Sequence, residues 1–187
     1  MKELVFLLEE PSARAMLEGF LPKLLRGKIN VDCYATYIIF EGKRDLDANL
    51  SRKVKLWRKP NSHFIVIRDT DSGPCEAILN KLKSISKSCK KKNILIRLAI
   101  TELESWYLGD LAAVEKGLGV VNLSKRQSEY STRKLDRLQM PSRRLSKLVK
   151  GKYQKVAGSR AIGPHLSLTD NRSSSFHKFM DGIRAIV

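Results

Sequence analysis

Acidic residues are scarce in this chain, and six of them fall in three tight groups: Glu9 with Glu10, Asp69 with Asp71, and Glu102 with Glu104. Carboxylates gathered in one place repel one another and raise each other's pKa, a conflict that a divalent cation resolves. Asp69 and Asp71 lie in FIVIRDTDSG, residues 64–73, where an apolar run ends in two aspartates one residue apart. On an extended chain such a pair points to one side, separated by about 6.6 Å at about 3.3 Å of rise per residue. That gap suits two carboxylates flanking one hydrated ion. Mg²⁺ takes oxygen ligands, keeps several waters and is commonly held by one or two carboxylates together with substrate phosphate. The competing reading is a turn, because Asp, Thr, Ser and Gly are favoured turn residues and DTDSG could simply lead the chain into a helix.

The elements that would carry these acids can be read from periodicity. Leu4 to Leu8 is a continuous apolar run suited to a strand buried on both faces. Ala13, Met16, Leu17, Phe20, Leu21, Leu24 and Leu25 then mark one stripe of a helix starting near Pro11 and Ser12, which Pro22 should kink or end early. Tyr34 to Phe40 reads as a second strand, Asp45 to Trp57 as a basic helix and Phe64 to Ile67 as a third strand. A helix over Glu76 to Ile85, a strand over Ile94 to Ile100 and a helix over Thr101 to Val114 follow, with Trp106 in the core. Beyond Gly119 the pattern decays into basic, Ser-rich sequence with a short helix from Ser175 to Ile186. Strands alternating with helices predict an α/β fold with a mostly parallel sheet. We divide the chain into an α/β core, residues 1–119, and a basic C-terminal extension, residues 120–187, packed on the same domain.

In an open parallel sheet the carboxyl ends of the strands line one crevice, where ligands bind. Strand one runs into Glu9 and Glu10, strand three into Asp69 and Asp71, and strand four into Glu102 and Glu104. Glu104 has a second explanation, since Thr101-x-x-Glu104 has the form of a capping box. Glu102 is therefore the preferred additional ligand, and Glu104 stays open between cap and site.

The bulk charge is strongly positive: 36 Lys and Arg against 19 Asp and Glu in 187 residues, a net +17. From Lys125 to Arg160 there are twelve basic residues and two acids. Such an excess favours a polyanionic partner, nucleic acid above all, over a solubilising surface or an acidic protein. Lys152, Lys155 and Arg160 surround Gly158, and Arg172 sits in NRSSS, a stretch rich in hydroxyl and amide donors. These four are candidate phosphate ligands; the alternative is a surface loop and a capped helix. Cys33, Cys75 and Cys89 form no CxxC and read as reduced thiols, and the three histidines have no metal-ligand spacing. Gly42-Lys43 lacks the rest of a Walker A motif, so any ATPase would be a partner chain. With no membrane-length apolar stretch and no secretory signal, the expected location is cytoplasmic.

A glutamate ending strand one, a following helix and DxD after a later strand resemble the TOPRIM arrangement of topoisomerases, primases and some nucleases. More specifically, LLEEPSARAMLEGFLPKLL, FIVIRDTDSG, TELESWYLGDLAAVE, YQKVAGSRAIGPHL and NRSSSF resemble an uncharacterised bacterial TOPRIM-like family linked to phage defence beside an ATPase. The resemblance implies a TOPRIM-like fold, with Glu9 at the TOPRIM glutamate and Asp69 and Asp71 at the DxD. It departs from the TOPRIM pattern where Glu10 and Pro11 replace the usual glycine, and where Ala13 replaces an acid found in relatives. Together these readings predict a Mg²⁺- or Mn²⁺-dependent nuclease or nickase with Glu9, Asp69 and Asp71 in catalytic and metal-binding roles. The alternative is a non-catalytic nucleic-acid-binding or regulatory subunit of an ATPase complex.

Overall fold

The computed structural model describes residues 1–26, 32–71 and 73–187; Ser72 of FIVIRDTDSG lies outside the described residues. Four parallel strands, β1 (Lys2–Leu8), β2 (Cys33–Ile39), β3 (Ser62–Asp69) and β4 (Ile94–Ala99), form a sheet in the order β2-β1-β3-β4. The three crossovers carry α1 (Pro11–Leu24), α2 (Lys43–Leu56) and α3 (Cys75–Ser88). Central β1 is apolar at every position from Leu4 to Leu8 because it is covered on both faces. Leu4, Phe6 and Leu8 face the cluster that holds α1, whereas Val5 and Leu7 face Leu46, Leu50, Val54 and Leu82 of α2 and α3. The α/β class expected from the sequence is the class observed.

Pro22 lies within α1, which ends two residues later at Leu24. Its missing N–H removes one bond to the preceding turn and its ring crowds the carbonyl there, so the helix ends within a turn of it. The segment read as one helix over Thr101 to Val114 is two: α4 (Glu104–Leu108) and α5 (Leu111–Leu118). Asp110 makes the break by accepting from Ala113 N–H at 3.0 Å as the N-cap of α5 and from Ser167 N–H at 2.6 Å.

The region beyond Gly119 is far more ordered than its sequence pattern predicts. It carries α6 (Thr132–Leu135), α7 (Pro141–Leu148), α8 (Lys155–Ile162) and α9 (Ser174–Arg184), with 3₁₀ turns at Ser124–Glu129 and Gly163–His165. Leu135, Leu145, Ile162, Leu166, Phe176 and Phe179 are buried in the same apolar cluster as Leu4, Phe6 and Ile65. Helix α8 lies against α1 and α5. The approach is close enough that a Cβ on Gly117 would stand 2.6 Å from the Ala161 carbonyl. Among the described residues no helix is long and apolar enough to cross a membrane.

Candidate active site

The carboxyl edge of the sheet is assembled by backbone pinning. At the end of β3, Thr70 is buried, donates its N–H to the Ala99 carbonyl at 3.0 Å and accepts from Thr101 N–H through Oγ1 at 2.7 Å. The loops after β3 and β4 are thereby tied together. One residue on, Asp71 N–H donates to the Thr101 carbonyl at 2.7 Å. Asp71 and Thr101 both adopt left-handed backbone, with φ of 49° and 64°. For a β-branched threonine that conformation is a genuine outlier, and strain of this kind gathers at functional loops.

These turns correct the geometry expected of the DxD. Asp69 continues the pleat of Ile65 and Ile67 toward α1 and α8, but the left-handed turn swings Asp71 out of the extended line. Its carboxylate lies at the rim, where it accepts from Lys43 Nζ at 2.6 Å. Asp69 instead neighbours Glu9, whose Oε2 accepts from the Asp69 N–H at 3.2 Å. Glu10 accepts from Lys155 Nζ at 2.8 Å and from Ser12 Oγ at 3.3 Å. Glu9, Glu10, Ser12 and Asp69 line a cavity of about 10 Å³, enough for roughly one water-sized particle.

The capping box does not form. Thr101 turns its hydroxyl to the Leu138 carbonyl at 2.9 Å, and Glu104 points inward, 1% exposed, accepting from Tyr153 OH at 2.8 Å. Glu102 does the capping, at a different helix: it accepts from Ser142 N–H at 2.6 Å in the first turn of α7. The structure thus brings Glu9, Glu10, Asp69 and Glu104 together, with Asp71 on the rim and Glu102 tied to α7.

Of the four basic candidates only Lys155, at the start of α8, contacts the acids. Lys152 and Arg160 are exposed. Arg172 donates to the Gln127 carbonyl at 3.1 Å. The donors of NRSSS are largely consumed inside the protein: Asn171 holds the Trp106 carbonyl, Ser173 caps α9, and Ser175 accepts from the Trp106 indole. Lys43 is the residue that sequence reasoning passed over. In the sequence Gly42-Lys43 reads only as an incomplete nucleotide-binding loop, although its place just past strand two puts Lys43 on the same edge as the acids.

Electrostatics separate these acids from ordinary surface carboxylates. Burial, reinforced by the charges of Glu104, Glu9 and Glu10, pushes the Asp69 carboxyl well above its usual range. Burial also raises Glu9 and Glu104, against the lowering effect of bonds from the Asp69 N–H and the Tyr153 hydroxyl respectively. Among the described residues no lysine or arginine is within ion-pair distance of any of the three. All the donors are hard oxygens, the class that Mg²⁺ and Mn²⁺ prefer. No group of three or more acidic, His or Cys side chains has ligating geometry among the described residues. The arrangement therefore fits a largely hydrated ion held by Glu9 and Asp69 and not a closed all-protein cage.

The chain is an α/β protein whose parallel sheet collects carboxylates at one edge, with Lys43 and Lys155 beside them. The chain belongs to the family described as Domain of unknown function (DUF4276), whose profile matches residues 8–184. Similar solved structures include the C-terminal region of the Burkholderia pseudomallei OLD protein, with a TM-score of 0.57, 14% identity and coverage of 99% of this chain and 98% of that one. The C-terminal region of the Xanthomonas campestris pv. campestris OLD protein aligns with a TM-score of 0.53 and 16% identity, covering 98% of this chain and 95% of that one. At these identities the likeness speaks to the fold alone. No curated protein matches the chain.

Proposed function

We propose that this chain is a Mg²⁺- or Mn²⁺-dependent phosphodiester hydrolase of nucleic acid, a nuclease or nickase, acting as the effector beside a partner ATPase in phage defence. The observation that carries the reading is the convergence of Glu9, Asp69 and Glu104, all with raised pKa, in a protein of net +17 whose described residues put no cationic side chain within ion-pair distance of them. Glu9 and Asp69 are the residues that would hold the metal, with Asp71, Glu102 and Glu104 in outer positions. When bound, the ion would supply charge to the scissile phosphate and a water of lowered pKa. Where Glu9 does not ligate the ion, it would take a proton from the attacking water. Glu104, which accepts from the Tyr153 hydroxyl, adds to the electrostatic pressure on Asp69 that a bound cation would relieve. Lys155 and Lys43, on opposite flanks, would steady the phosphate oxygens, with Lys152, Arg160 and Arg172 further along the strand's path. The ATPase and the defence role rest on the family resemblance.

A second reading has its own observation. Lys155 on Glu10 and Lys43 on Asp71 satisfy two of the acids without any metal, as a binding or regulatory subunit that keeps the scaffold without the reaction would have them. The two readings part in one experiment: labelled plasmid, single-stranded DNA and RNA are incubated with Mg²⁺, Mn²⁺ or EDTA, using wild type and the Asp69→Ala, Asp71→Ala double variant, with and without an ATPase encoded alongside. Metal-dependent products from wild type alone establish the hydrolase. Metal-independent binding by both proteins, with no cleavage, establishes the binding subunit.

A further inference from the structure

Strand β4 is an outer strand of the sheet, bonded to β3 alone. Phe64 N–H meets the Asn93 carbonyl at 2.8 Å and Thr70 N–H meets that of Ala99 at 3.0 Å. With this phase, the N–H and C=O of Leu95, Arg97 and Ala99 face β3, and those of Ile94, Ile96 and Leu98 face outward. Of these outward groups, only the Ile96 carbonyl has a partner among the described residues, the Arg97 guanidinium folded back at 2.9 Å. The same guanidinium also reaches the Lys178 carbonyl at 2.7 Å. The exposed edge forms the floor of a cleft of about 690 Å³ walled by α3, through Leu79 and Lys83, and by α9, through Lys178 and Asp181.

Natural sheets blunt a free edge with proline, bulges or inward charges. Ile94 to Ala99 has no proline and keeps an unbroken register with β3, and among the described residues the hydrogen-bonding cover of its outward groups is the Arg97 side chain. We propose that β4 receives a fifth strand: an extended segment of a partner protein in which acidic residues alternate with apolar ones. The apolar half is set by Ile94, Ile96 and Leu98, partly buried on the α3 side, and Leu95 on the other. The acidic half is set by charge: Lys83 and Lys178 line the cleft against Glu76 and Asp181, and Lys90 to Lys92, all exposed and directly ahead of the strand, tip the balance to positive. Main-chain bonds would give such a complex its affinity and the flanking pockets its selectivity. The proposal is independent of the acid cluster.

The test uses the full chain and a fluorescein-labelled peptide of alternating Glu and Val, read by fluorescence anisotropy, with amide exchange followed by NMR. Binding is expected to slow exchange at the Ile94, Ile96 and Leu98 N–H groups selectively. N-methylation of the peptide bonds that face β4 should weaken it about tenfold or more, and methylation of the opposite edge should not. Ile96→Pro, which removes an outward donor, should weaken binding similarly, and the methylated peptides answer the question even where that variant misfolds. An equivalent lysine-valine peptide should fail to bind. The proposal is overturned by absence of binding, by binding without protection of those three amides, or by equal affinity of both methylated peptides. It is also overturned if sedimentation shows that a second copy occupies the edge, or if an oligonucleotide, and not the peptide, protects the three amides.

Discussion

Two buried acids at opposite ends of the sheet show what distinguishes a structural carboxylate from a poised one. Glu3, at the amino end of β1, is 1% exposed. Burial pushes its pKa up, but bonds from Ser62, Trp57 and Thr36, with the charge of Lys59, outweigh that and hold it below the usual range. Asp69, at the carboxyl end, has acids for neighbours and stays well above that range. The consequence for stability has a definite sign. With a raised folded pKa the native chain binds more protons than the unfolded one, so the contribution of Asp69 is full below about pH 4 and is lost as pH rises through the raised value. Asp69→Asn removes the titration. In EDTA its Tm should exceed that of wild type by a margin that widens as pH rises from about 4 toward the raised value and is constant above it, and Mn²⁺ should raise the Tm of wild type but not of the variant. A margin independent of pH, measured by thermal melts, would show that Asp69 is not the strained group. At Tyr153 the expected result is smaller: Tyr153→Phe leaves the buried Glu104 oxygen without its donor, costing about 1–3 kcal/mol in chemical denaturation.

At the scale of elements, α8 is the piece that closes the site, and glycine lets it do so. A Cβ on Gly158 would stand 2.4 Å from the Tyr153 ring, and that ring carries the hydroxyl which positions Glu104. Gly158→Ala should therefore destabilise the chain by about 1–3 kcal/mol through overpacking. It should also reduce metal-dependent cleavage, whereas Gly151→Ala, strained by a left-handed backbone with φ of 79° but clear of neighbouring atoms, should cost stability and spare cleavage. Urea melts and a cleavage assay on the same preparations separate the two effects. The same region marks the limit of what the chain reveals unfolded. Strands β1 to β4 and helices α1 to α3 could be read because each spans enough residues for a period of 2 or 3.6 to repeat. Helices α5 to α8 are four to eight residues long, too short for a stripe to emerge, so Leu145 and Ile162 look like isolated apolar residues. Within the site, Glu9, Asp69 and Glu104 were visible as acids just past strand ends. The roles of Tyr153 and Lys43 were not, since both depend on which loops the fold brings together. The left-handed turn at Asp71 also escaped, because Asp tolerates either backbone and DxD does not say which.

For the whole molecule, charge is the dominant fact, and its placement is uneven. Arg143, Lys147 and Lys150 stand on or just after α7, whose first turn is held by Glu102, so this basic helix is anchored directly to the loop that follows β4. A duplex lying along α7 would therefore run toward the acids, and its phosphates would be met by these side chains before any reached Lys155. Each phosphate neutralised releases counterions, so affinity for duplex DNA should fall linearly on a log-log plot against salt, with a slope of about −0.9 per contact. Replacing Arg143, Lys147 and Lys150 by Glu should then weaken binding and make the slope shallower by about 3. Asp69→Asn should leave the slope unchanged, because it removes no phosphate contact. Filter binding or anisotropy across a salt series checks this directly. If the triple variant keeps the wild-type slope, the duplex does not follow α7, and the positive charge of that helix serves another surface. If the slope falls while cleavage of short single-stranded substrates persists, α7 is a docking track that delivers the substrate and the chemistry is confined to the edge of the sheet.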